Sequence, residues 1–269
     1  MKIAVVAPSN TLKREAAEQV AAIASARGDC ELVIHPQCFL SDGHFAGSDA
    51  DRLAALREAM ADPSIDAIWF ARGGYGSNRI AEAALADLPA AARTKQYLGY
   101  SDAGFLLAGM HKSGLDVAWG PMPQDVRRDR GDTAVRRALG WLVRHDPSAL
   151  EPNSQRERAL AFNITVFGQL LGTPLEPDVR GHVLMLEDVS EHMYRTDRAL
   201  FHITSNAAVR AAAGIRLGRC TDVPDNDPDF GATEEEVVRF WCERSGIPFL
   251  GRADIGHDAD NKVVPFGSP

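Results

Sequence analysis

Apolar residues in the first half of the chain come in two alternating rhythms. Ile3–Ala7, Glu31–His35, Ala67–Ala71 and Gln96–Tyr100 are short β-rich runs of single-strand length. Between them lie stretches with helical spacing. Leu12–Arg27 is rich in Ala, Glu and Arg and stops near Gly28, with Ser9 and Asn10 placed to cap its start. Asp49–Ala61 repeats apolar residues at Leu53, Leu56 and Met60, and further helices are predicted from about Asn78 to Ala86, over Ala103–Lys112 and over Asp132–Arg144. Strands alternating with helices predict a mainly parallel sheet, because parallel neighbours need crossovers and those crossovers cover both faces.

The rhythm changes after Arg144. The stretch that follows is polar, carries Pro147 and Pro152 and shows no period, so it reads as a linker. The predicted division is residues 1–146, a linker over 147–158, and residues 159–269. Beyond the linker, Ala161–Leu171, Val183–Leu186, Ile215–Cys220, the helix Glu234–Arg244 and Phe249–Arg252 form a second, smaller α/β unit. Asp222–Phe230, with two prolines and four aspartates, reads as a surface loop.

Composition narrows the possible partners. The 269 residues are 45% hydrophobic and 25% charged, as in an ordinary globular protein, with a net charge of -8. No broad basic field is left to hold nucleic acid or anionic lipid, so a small substrate is expected and neither nucleic acid nor membrane is. The apolar run at the N-terminus is too short for a signal segment and no stretch is long enough to cross a bilayer, so a cytoplasmic location is expected. Cys30, Cys38, Cys220 and Cys242 share no CxxC spacing and read as free thiols. No H-E-x-x-H or clustered ligand set occurs, so no metal or other cofactor is expected.

Four places carry chemistry. Tyr97-Leu98-Gly99-Tyr100-Ser101-Asp102-Ala103 runs from a strand straight into a helix, with small residues two positions either side of Ser101, as a nucleophile elbow requires. The helix behind it turns amides toward a developing oxyanion. The same serine also suits a simple helix cap. Arg72-Gly73-Gly74-Tyr75-Gly76 is a glycine turn at the end of another strand, where backbone comes close to a ligand. It has neither P-loop nor Rossmann spacing. Glu187 closes an apolar strand and needs a partner there. His257 follows a strand and Gly256, in the most site-like setting of the eight histidines. Serine, glutamate and histidine in that order, each at a strand end, is one sequential arrangement of a catalytic triad.

These residues together resemble the LD-carboxypeptidase family, the serine peptidases of the S66 group, which include muropeptide and microcin-immunity enzymes. The similar stretches are Ala7-Pro8-Ser9, Ala71-Arg72-Gly73-Gly74-Tyr75-Gly76, Gly99-Tyr100-Ser101-Asp102, Gly120-Pro121-Met122, Leu170-Leu171-Gly172-Thr173-Pro174, Leu186-Glu187-Asp188-Val189, Tyr194-Arg195-Thr196-Asp197-Arg198 and Gly256-His257. They run in the family's order from the first strand almost to the end. The resemblance implies an N-terminal flavodoxin-like domain, a smaller C-terminal domain and a triad assembled between them. It implies Ser101 as nucleophile, Glu187 as acid and His257 as base, the Gly74 and Asp102 amides as oxyanion hole, and a homodimer. The sequence departs from the family at Ala161-Phe162-Asn163, where Gly-Gly-Asn is usual, and at Trp119, where a histidine often precedes Gly-Pro-Met. It is also somewhat short after Pro265-Phe266-Gly267.

The expected activity is hydrolysis of the amide between the L-centre of a diamino acid (meso-diaminopimelate or L-Lys) and the terminal D-alanine of a murein tetrapeptide, in peptidoglycan recycling. Arg72, Tyr75 and Arg195 are the candidate substrate-binding residues. One alternative is the microcin-immunity branch, cleaving a peptidyl- or aminoacyl-nucleotide amide. Another is a non-catalytic two-domain protein that holds a small ligand. An α/β-hydrolase esterase shares the triad order but uses an HGGG-type segment missing here.

Overall fold

The computed structural model describes residues 1–267. The first half alternates β1 (Lys2–Val6), α1 (Arg14–Arg27), β2 (Glu31–Ile34), α2 (Asp49–Ala61), β3 (Ala67–Phe70), α3 (Ser77–Ala86), β4 (Gln96–Gly99), α4 (Gly104–Lys112), β5 (Asp116–Trp119) and α5 (Gly131–Arg144). The second half runs β6 (Ala159–Asn163), α6 (Ile164–Leu170), β7 (Val183–Val189), α7 (Met193–Ser205), β8 (Gly214–Thr221), α8 (Glu234–Ser245), β9 (Phe249–Arg252) and β10 (Val264–Pro265).

Strands β2-β1-β3-β4-β5 pair in parallel in that order, the flavodoxin-like arrangement. Their side chains alternate between faces. Ile3 and Val5 point into a core with Val20 of α1 and Leu139 of α5, while Ala4 and Val6 join Leu56 of α2 and Leu107 of α4. Burial on both faces explains why β3 is apolar at every position. Strands β6-β7-β8-β9 form a second, wholly parallel sheet. The core that holds Ala4 and Leu107 continues through Phe162, Leu186 and Leu217, so the two sheets share one apolar interior.

Three features depart from the sequence reading. The four-residue β5 is too short to carry a period of its own. The chain's end returns to the first sheet, where β10 runs antiparallel to β5. The start of α1 is also different. Lys13 occupies its N-cap with no side-chain cap bond, because Ser9 is drawn away to a buried carboxylate, as described below.

Candidate active site

The backbone at the end of β4 turns so sharply that only small neighbours fit. Tyr100 is extended, Ser101 stands at φ 59°, and a short helical turn over Ser101–Ala103 feeds α4. A left-handed non-glycine residue costs roughly 1–3 kcal/mol and persists only where its surroundings enforce it. A Cβ on Gly99 would lie 3.3 Å from Ala103 Cβ and 2.7 Å from the Phe70 ring. The turn after β3 is equally confined, since a Cβ on Gly73 would sit 2.7 Å from Ser101 Oγ.

Asp102 fastens this corner. Its buried carboxylate accepts the Ser9 hydroxyl at 2.5 Å and the Ser77 amide at the start of α3 at 2.8 Å, tying three strand ends together. Beneath them the fully buried Arg52 donates to the carbonyl oxygens of Pro8 (2.5 Å) and Gly76 (2.8 Å). These bonds give Ala7-Pro8-Ser9 and the glycine turn their place in the site.

Glu187 lies on β7, fully buried, in register with Asn163 of β6. Its Oε2 accepts a hydrogen bond from His257 Nδ1 at 2.7 Å, and Ser101 Oγ donates to His257 Nε2 at 3.0 Å. The loop that carries the imidazole is pinned from several sides. Arg137 of α5 donates to the carbonyls of Ala259 (2.8 Å) and Asn261 (2.9 Å), and Arg219 of β8 pairs with Asp254 and Asp258. Asn261 Oδ1 accepts from Trp119 Nε1 at 2.9 Å, which gives the tryptophan at this position a job in holding the histidine loop. The Tyr100 ring packs against the imidazole at 4.7 Å, while its hydroxyl donates to the buried Asp125 at 2.7 Å. Asp125 also accepts from the Met122 amide and from Arg128, which accounts for Gly120-Pro121-Met122.

Burial pulls the imidazole's pKa down, but the Glu187 carboxylate and its hydrogen bond outweigh this and hold it above the ordinary histidine value. Burial pushes the Glu187 carboxyl up, with the charge on His257 working against it. Burial also pushes the Cys38 and Cys220 thiols up to about 12 and Cys242 up to about 11, so none of these offers a thiolate nucleophile.

Ser101 and His257 open into a cleft of about 460 Å³. Gly74 lines it too, and its amide donates to no acceptor among the described residues. Of the substrate-binding candidates, Arg72 stands in the cleft wall. Tyr75 is exposed and packs on Phe45 at 6.0 Å rather than lining the cleft. Arg195 lies on α7 beside a separate depression and pairs with Glu191 at 2.8 Å. Arg127, Arg128, Asp125 and Arg52 are absent from the sequence reading. The available signal is the basic run after Gly-Pro-Met, Arg127-Arg128-Asp129-Arg130, in a loop beyond a strand end.

A buried carboxylate, an imidazole and a serine hydroxyl in line, at strand ends of an α/β scaffold, define the class of serine hydrolases. The models described as LD-carboxypeptidase N-terminal domain and LD-carboxypeptidase C-terminal domain match residues 3–120 and 158–269, and the chain belongs to that family. It is 34% identical to a Synechocystis sp. protein that is a carboxypeptidase by name, covering 99% of this chain and 89% of the relative. With the murein tetrapeptide carboxypeptidase of Pseudomonas aeruginosa it shares 28% identity over 99% of this chain and 91% of the other. The fold is similar to that of the muramoyltetrapeptide carboxypeptidase from Oxalobacter formigenes, with a TM-score of 0.83 and 23% identity over 99% and 93% of the two chains. It is also similar to that of the microcin C7 self-immunity protein MccF, at 0.80 and 19% over 99% and 91%.

Proposed function

We propose that the protein is a serine carboxypeptidase that releases terminal D-alanine from murein tetrapeptides. The observation that carries this reading is the Ser101–His257–Glu187 chain, with contacts of 3.0 and 2.7 Å, at the floor of an open cleft. The murein tetrapeptide relatives support the substrate class.

The proposed steps follow from the donors and acceptors. His257 Nε2 takes the Ser101 proton as Oγ attacks the scissile carbonyl carbon, and Glu187 holds Nδ1–H and stabilises the imidazolium. The amides of Gly74 and Asp102 receive the oxyanion. Losing one such donor typically costs about 10²–10³ in rate. The imidazolium then gives its proton to the departing D-alanine amine, leaving an ester on Ser101. Water, deprotonated by His257, cleaves that ester and restores the hydroxyl.

The test is purified protein with tetrapeptides containing L-Lys or meso-diaminopimelate, measuring free D-alanine. Wild type is expected to release it and Ser101→Ala to lose the activity by roughly 10⁴-fold or more. Undiminished release by the variant overturns the nucleophile assignment. An aminoacyl-nucleotide amide in the same assay checks the immunity-type alternative. The reading includes a homodimer and a cytoplasmic location, which sedimentation and cell fractionation check. Among the described residues no helix is long and apolar enough to cross a membrane.

A further inference from the structure

A carboxypeptidase distinguishes a chain end from a chain interior, and the distinguishing group is a carboxylate. Three arginines line the cleft with Ser101: Arg72, Arg127 and Arg128. Arg128 is committed, since its Nε donates to the buried Asp125 at 3.0 Å and its charge is matched there. Among the described residues Arg127 reaches only Glu15, at 3.8 Å between two exposed side chains. Arg72 is half-buried and donates to the Thr11 carbonyl at 3.2 Å, with no carboxylate partner among the described residues. Burial and the neighbouring charge of Arg127 both pull its pKa below the ordinary arginine value. Asp222 is on the cleft wall as well, but among the described residues the partners of the two guanidinium groups are Glu15 and the Thr11 carbonyl. Two like charges thus face the same cavity, one partly desolvated and without a carboxylate partner among the described residues, the other paired only at long range with the exposed Glu15. A guanidinium fork matches a carboxylate with two parallel hydrogen bonds, and a bound anion relieves the repulsion between the pair.

We propose that Arg72 and Arg127 form the subsite for the substrate's free C-terminal carboxylate, and that Arg128 does not. The proposal rests on the hydrolase reading for its meaning but is read by binding. In the Ser101→Ala background, calorimetry compares a tetrapeptide ending in D-alanine with the same peptide ending in D-alaninamide. The acid is expected to bind about 10- to 100-fold more tightly, the range of a charged hydrogen-bonded contact. Adding Arg72→Gln is expected to bring that ratio close to one. Arg72→Lys keeps part of it, and Arg127→Gln, at an exposed position that folding tolerates, lowers it several-fold. A ratio unchanged by Arg127→Gln and both Arg72 variants overturns the proposal, as does equal binding of acid and amide by the Ser101→Ala protein. Absence of D-alanine release from wild type sinks the hydrolase reading instead, and the binding ratio still reports on the two arginines.

Discussion

Glu187 has one oxygen on His257 and the other, Oε1, buried with no hydrogen-bond partner among the described residues. The carboxylate therefore spends its field on the imidazole, which it holds above the ordinary pKa of about 6.5. The base must be neutral to accept a proton, so kcat/KM is expected to fall with acidification through a value above that ordinary one. Glu187→Gln removes the charge, and a pH–rate profile is expected to show the acid limb moved to lower pH with kcat down by roughly 10³–10⁴. Ser101 carries a second, conformational cost at φ 59°. Urea denaturation is expected to find Ser101→Gly more stable than Ser101→Ala by about 1 kcal/mol, because glycine alone enters that region without a Cβ clash.

At the scale of elements, the elbow and the glycine turn are fitted to each other. Gly73→Ala places a methyl 2.7 Å from Ser101 Oγ. Its kcat is expected to drop by about 10²-fold, the usual consequence of shifting a reacting atom by about an ångström, with circular dichroism unchanged. Asp102→Ala strands the Ser9 hydroxyl and the Ser77 amide in the interior, and thermal unfolding is expected to report a loss of about 1–3 kcal/mol. The elbow was legible because its steric demand, small residues two places from Ser101, is written in a single short segment. The role of Ser9 was not. Its spacing before α1 suits a cap, and only the tertiary arrangement brings Asp102 within reach to compete for it. Tyr100 was hidden for the same reason. Its ring meets His257 and its hydroxyl meets Asp125, and neither contact leaves a periodic trace. Tyr100→Phe is expected to lower kcat several-fold at constant KM, read by steady-state kinetics, since it frees the ring that braces the imidazole.

Over the whole molecule, the alternation of strands and helices announced the parallel sheet of the first half, because burial on both faces forces continuous apolar runs, but for the second half only a smaller α/β unit. Alternation alone does not give the order of strands, which came from the family resemblance and its flavodoxin-like fold, and the return of the chain to the first sheet was not announced. Pairing partners far apart in sequence are chosen by packing, and a two-residue strand such as β10 is below any periodic signal. Of the cleft arginines Arg72 was named from its glycine turn, and the other two escaped for a related reason. Arg127 and Arg128 look like solvated loop charges until the fold folds that loop over Ser101.

The placement of β10 also sets a sequence in time. The serine is synthesised 156 residues ahead of the histidine it bonds, and the strand that pairs with β5 comes later still. At roughly 5–20 residues per second, a growing chain carries a finished hydroxyl for many seconds with nothing to activate it. Hydrolytic power thus waits for His257 to be made, and a polypeptide cut short before that residue is expected to be born inert.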